Sequence, residues 1–337
     1  MRSRLLPTRP LSRLFTYTLG VGLAFATLRA ELSAQPEPPP TKPQLDYSGG
    51  TGAIKGGPSF ERPMMWSVRC PELAEFHLVG TMHIPDARFA QLSPTLLRLI
   101  DEADAVYGEL DLSDKVALTA KLTPHMLLPS GETLESKLPV DVYASLKSYL
   151  ELKGSSASMF GMMKPEAVEI LLPMLELMPL LAQGLPSLDE VILTRAKEAG
   201  KEVGGVETVE EQIESLFSKS EEESVESLKH TLKRLMELHQ RGEAPHLKLM
   251  TAFFKGDEGE LLAEIMAELE GAPPAQLKLF DRLLKQRNKR MARRVIKLVR
   301  RAKKRAHLFA FGAAHFIGKD SINALFKGQG CSSQRLK

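Results

Sequence analysis

Two stretches of this chain end an apolar run with Gly-x-x-His. Gly80-Thr81-Met82-His83 follows Phe76–Val79, and Gly312-Ala313-Ala314-His315 follows Leu308–Phe311. A third apolar run, "DAVYG", turns abruptly acidic at Glu109, and a fourth, the short "KEVGGV", delivers Glu207. In open α/β sheets the functional crevice lies at the carboxyl ends of parallel strands, so these four side chains would meet there. Two imidazoles with two carboxylates make either a divalent-metal site or an acid/base site. A glycine ahead of each histidine lets the backbone turn sharply and leaves room for a ligand against the main chain. A lone histidine after a strand-end glycine is more often a loop or capping residue. Two such motifs on apolar strands, each with a strand-end glutamate for company, shift the balance toward a site. His77 lies about 20 Å from His83 along an extended strand at roughly 3.3 Å per residue, so it stays outside the cluster. His125, His230, His239, His246 and His307 read as surface or packing residues.

The elements that must position these groups follow from periodicity. "AEFHLVG" reads as a strand and "LSPTLLRLIDEA" as a helix, with Ser93 as cap and Pro94 at the first helical position. "DAVYGELDL" is the next strand, and strand–helix–strand within so short a span is a βαβ unit with a parallel pair. "SLDEVILTRAKEAG" is a helix capped by Ser187, with Gly200 past its end; the strand "KEVGGVET" and helix "VEEQIESLF" come next. The chain closes with the strand "HLFAFG" and the helix "KDSINALFKG". Between these blocks the pattern is helical. The expected fold is α/β, a small, mostly parallel sheet built from N- and C-terminal segments. The domain would run over 63–331, with a large helical insertion over about 113–200 and 213–305.

Among 337 residues, 43% are hydrophobic and 26% charged, an ordinary globular composition with room for a sizeable core. The formal charge of +3 belongs to the first 34 residues, where five arginines face a single acid; the rest of the chain is slightly negative. In that leader Arg2, Arg4, Arg9 and Arg13 precede an apolar block from Leu14 to Leu28 and small residues ending at Ala34. This is the layout of a cleaved signal peptide, and the block is short for a transmembrane span. The expectation is a secreted or periplasmic protein without a membrane span in its mature chain, with mitochondrial or plastid targeting as the alternative. Residues 35–62 are a Pro- and then Gly-rich linker; their "GGTGAIKGG" lacks the ending of a phosphate loop. Cys70 and Cys331 are the two cysteines. The plainer reading leaves them as separate small residues, and pairing in an oxidising compartment is the alternative. Thiolate zinc sites, a Gly-x-Ser-x-Gly elbow and a His-Glu-x-x-His helix are absent from the sequence. The run Lys285–Arg305 holds twelve basic residues and no acid, but Leu284, Met291, Val295, Leu298 and Val299 give it an apolar stripe and no aromatic interleaves it. It reads as a solvated face of a core helix, and no nucleic-acid partner is expected.

With these residues in view, the chain resembles the TraB/PrgY/GumN family, which also contains the Tiki metalloproteases. "HLVGTMHIPD", "VYGELD", "SLDEVILTRAKEAGKEVGGVETVEEQ", "RNKRMARRV" and "FAFGAAHFIGKDSINALFKGQG" match its motifs in order, from about residue 64 to 331. "GVET" and "GAAH" depart slightly from the usual wording without touching a candidate ligand. The resemblance implies a metal-dependent hydrolase, peptidase in the Tiki branch, acting on a peptide or protein with manganese or cobalt; zinc or iron also suits the donors. Other branches bind or clear peptide pheromones, so a non-catalytic peptide-binding protein is the alternative. On this reading His83, Glu109 and His315 ligate one divalent metal and leave a position for water. Glu207 serves as general base or further ligand, or else caps the following helix. Arg287 stabilises the developing oxyanion.

Overall fold

The structure is a computed structural model that describes residues 60–111 and 115–336. The signal-peptide reading and nearly all of the linker lie outside the described residues. One six-stranded sheet organises the rest: β1 (Met65–Arg69), β2 (Phe76–Thr81), β3 (Ala105–Gly108), β4 (Glu202–Gly205), β5 (His307–Gly312) and β6 (Ser332–Arg335). Their spatial order is β4-β3-β5-β2-β1-β6. The β4–β3, β3–β5 and β5–β2 pairs are parallel, while β1 pairs antiparallel with both β2 and β6. The expected α/β fold, with strands from both ends of the chain, is the one observed.

Three features differ from the sequence reading. The strands of the first βαβ unit, β2 and β3, are parallel but not neighbours, because β5 lies between them. All six residues of β5 are buried, so the most apolar strand takes the centre, where both faces are covered. The antiparallel strands β1 and β6 carried too little alternation to be read, and β6 takes the sheet past residue 331. The two cysteines, read as separate, form a disulfide between Cys70 and Cys331. They meet because Cys70 follows β1 and Cys331 precedes β6, whose pairing begins at Arg69 and Ser332. Sequence separation hides that proximity; strand pairing creates it.

Two apolar cores fill the molecule. The larger covers the sheet and takes in Ile192 and Ala196 from the Leu188–Glu198 helix and Met291, Val295 and Val299 from the Arg287–Arg301 helix. Both helices therefore belong to the sheet layer, although the sequence boundaries assign them to the insertion. The second core belongs to the insertion, where Leu146, Tyr149, Phe160, Val168, Leu228 and Leu232 are its buried centre. Among the described residues no helix is long and apolar enough to cross a membrane.

Candidate metal centre

The paired Gly-x-x-His motifs are explained by strand pairing. Strands β2 and β5 are parallel neighbours, with Gly80 opposite Phe311 and Thr81 opposite Gly312. The motifs thus leave the same edge of the sheet side by side, offset by one residue. Neither glycine adopts a left-handed φ; Gly312 sits at φ −49° and ψ 135°. The expected sharp turn is therefore not what they provide. Gly312 provides space beside the donors, since a Cβ there would stand 3.2 Å from Glu109 Oε1 and 3.4 Å from His83 Nε2, whereas Gly80 permits close packing against Met64 and Ala313.

Glu109 directly follows β3, the other neighbour of β5. Its Oε1 accepts from the Gly312 amide at 2.8 Å. The same oxygen stands 3.7 Å from His83 Nε2 and 3.6 Å from His315 Nε2. The three residues expected as metal ligands are thus brought to one point. Each ring is held from behind. His83 Nδ1 lies 3.0 Å from Asp189 Oδ1, a carboxylate acceptor, so Nδ1 carries a proton and it is Nε2 that presents the lone pair whenever the ring is neutral. Asn288 Nδ2 donates to the Asp320 carbonyl at 2.9 Å, which turns its Oδ1 toward His315 Nδ1 at 2.6 Å. Both imidazoles accordingly turn Nε2 toward Glu109.

Asp189 and Asn288 lie inside the motifs that carry the family resemblance, but the sequence assigned neither a role. Their signal was weak: Asp189 looks like any first-turn acid of a helix, and Asn288 sits in a basic run. Only the packing of both helices on the sheet shows what they hold.

Glu207 and Arg287 come together, but with each other. Glu207 extends the strand ladder, its amide donating to the Glu109 carbonyl at 2.8 Å. Its side chain is 0% exposed. Glu207 Oε2 accepts from Arg287 Nη2 at 2.6 Å, Arg287 Nε at 2.9 Å and Gln212 Nε2 at 3.3 Å. Oε1 accepts from Arg290 Nη2 at 2.8 Å. The helix cap is supplied not by Glu207 but by Thr208, in a reciprocal box with Glu211. Arg287 divides its donors between Glu207, Glu109 Oε2 at 2.5 Å and the Leu283 carbonyl. The guanidinium expected at an oxyanion is thus engaged in holding two carboxylates.

The electrostatics follow from this packing. Burial by itself would raise the Glu109 carboxyl, but Arg287, with the two imidazoles, holds it well below the usual carboxylate range. Burial pushes His315 down to about 4, and Arg287 and His83 push the same way against Glu109. At His83 burial opposes the charged ring, yet Asp189 and Glu109 carry its pKa well above the usual value. His83 is also the open side of the cluster, with 32% of its side chain exposed against 4% for His315.

Among the described residues, no group of three or more histidine, cysteine, aspartate or glutamate side chains stands in ready-made ligating geometry. The donor chemistry nonetheless fits a divalent ion. Ligands about 2.1 Å from a tetrahedral ion stand roughly 3.4 Å apart, close to the observed nitrogen-to-oxygen separations. Both second ring nitrogens are engaged by an oxygen acceptor, the arrangement that orients metal-bound histidines. Gly312 keeps the space beside the donors clear.

Several chains with names of their own are similar. Metalloprotease TIKI2 of Danio rerio is 28% identical over 79% of this chain and 59% of its own length. The Metalloprotease TIKI homolog of Nematostella vectensis is 27% identical over 81% of this chain and 67% of its own. Metalloprotease TIKI1 of Homo sapiens is 25% identical over 79% and 60% respectively. The chain thus spans about 60% of the length of the first of these relatives. No solved structure matches it. The model of the TraB/PrgY/gumN family matches residues 64–335, the whole sheet with its insertion from just before β1 to the end of β6, and this chain belongs to that family.

Proposed function

We propose that this protein is a metal-dependent peptidase that acts on peptide or protein substrates outside the cytoplasm. The observation that carries this reading is the convergence of His83 Nε2 and His315 Nε2 on Glu109 Oε1. The names of the Tiki relatives support it, and so does the Cys70–Cys331 disulfide, a bond at home in an oxidising compartment. His83, Glu109 and His315 would hold one divalent ion, manganese or cobalt, with zinc or iron also compatible with nitrogen and oxygen donors. Such an ion supplies Lewis acidity toward a scissile carbonyl and acidifies a water.

The chain's own residues prepare the site. Asp189 and Asn288 fix the two rings. Arg287 fixes Glu109 through Oε2 and leaves Oε1 toward the imidazoles. Glu207 anchors Arg287 and, on this reading, is a positioning residue. The exposed His83 edge is where a peptide would approach.

Elemental analysis of protein purified without chelator, paired with hydrolysis of a fluorogenic peptide library, tests the proposal. About one divalent ion per chain is expected, with cleavage lost on chelation and restored by manganese or cobalt. His83→Ala and His315→Ala should each abolish tight binding. Wild-type stoichiometry in either variant would refute the shared site. Metal binding without any turnover would favour the peptide-binding alternative. Export and N-terminal sequencing of the mature protein test the localisation.

A further inference from the structure

One small apolar cluster touches both main cores, with Ile84 also packed against the sheet core and Met174 and Met178 against the insertion core. Leu177 and Leu181 are its buried centre, and Ile84, Met174, Met178 and Leu180 pack against it while staying partly open to solvent. Ile84 is the residue next to His83. The segment that carries the cluster then runs back along the site: the Asp86 amide donates to the Pro186 carbonyl, and the Leu188 amide to the Met82 carbonyl, each at 3.2 Å. It continues directly into Asp189, which holds the His83 ring at 3.0 Å. One stretch of chain, 174–189, thus supplies the carboxylate behind His83 and an apolar wall beside it.

Such a wall leaves four apolar side chains partly open to solvent beside the site. Methionine and leucine are the side chains that repack around varied apolar shapes. We propose that Ile84, Met174, Met178 and Leu180 are specificity-determining residues that receive a bulky aliphatic side chain of the substrate peptide, next to the bond presented at His83. The substrate class is then peptides with Leu, Met or Ile at one position beside the scissile bond. This inference rests on the proposed peptidase site for its placement, but it is tested by binding and needs no turnover.

Fluorescence anisotropy of the whole protein with two labelled peptides, identical except for Leu or Asp at one central position, measures the preference. Burying one leucine-sized side chain corresponds to roughly tenfold or more in affinity, so the Leu peptide should bind at least that much more tightly. Leu180→Glu should bring the ratio close to one. Leu180→Ala, which adds no charge and keeps the fold, should reduce it by a few fold. Equal affinity for the two peptides, no binding of either, or an unchanged ratio in Leu180→Glu overturns the inference. A preserved Leu preference without metal-dependent hydrolysis would sink the peptidase reading while leaving this one standing.

Discussion

Replacing Glu207 by glutamine separates two roles that the strand-end position alone leaves open. A general base needs a free lone pair within reach of water. Glu207 has a fully buried carboxylate, with Arg287 and Gln212 on one oxygen and Arg290 on the other. Glutamine would keep the volume, remove the charge and turn an amide donor toward a guanidinium donor. Removing one partner of a buried ion pair costs about 3–5 kcal/mol. Here Arg287 retains Glu109, and Arg290 retains Glu211 at 3.7 Å, so the lower end, about 3 kcal/mol, is the expected loss. Urea unfolding followed by circular dichroism reads that loss directly. Metal titration should show weakening of roughly tenfold, the usual scale for an outer partner of a ligand, because Glu207 no longer anchors the Arg287 guanidinium that holds Glu109. A general base would behave oppositely, with stability and metal affinity intact and turnover down by about two or more orders of magnitude. Glu207→Gln protein that is as stable as wild type and binds metal equally well, yet is catalytically dead, would refute the positioning role.

Other perturbations reach different parts of the molecule. Gly312→Ala places a methyl group between Glu109 and His83, so metal affinity measured by calorimetry should fall by at least about tenfold while circular dichroism stays unchanged; unchanged affinity would mean that the space beside the donors is not used. Reducing the disulfide, which links residues 261 apart in sequence, should lower stability by about 2–4 kcal/mol in denaturant titrations, and two free thiols in the denatured, unreduced protein would refute the bond. The Arg294 hydrogen bond to Glu211 leads the effects that lower its carboxyl from 4.5 to about 2. Its contribution is therefore complete above pH 4.5 and is lost as pH falls toward 2; Glu211→Gln should be less stable at neutral pH by roughly 1–2 kcal/mol, with the gap closing in acid. Asn288→Leu should loosen His315 and cost metal affinity by about 10–100-fold without removing a ligand, and wild-type affinity there would argue against Asn288 as the ring's anchor.

Much of the site was legible because strand ends repeat a local pattern. An apolar run stopped by Gly-x-x-His, or turned acidic at Glu109, is written in consecutive residues. The direction of a parallel strand then places its last side chain at the crevice. The helix that Ser93 caps follows from capping and amphipathic period, which are also local. The strand order was not written anywhere: β5, buried along its whole length, enters between β2 and β3 through pairings that no consecutive run of residues spells out. Nor could consecutive residues say that Cys70 and Cys331 meet, since β1 and β6 bring them together. The roles of Glu207 and Arg287 were likewise decided by packing. A glutamate at a strand end and an arginine on a helix can each serve a substrate or serve each other. The Arg287–Arg301 helix lies with its apolar stripe in the sheet core, which brings Arg287 and Arg290 to the carboxylate. A fully buried Glu207 carboxylate needs charged partners, and Arg287 and Arg290 supply them.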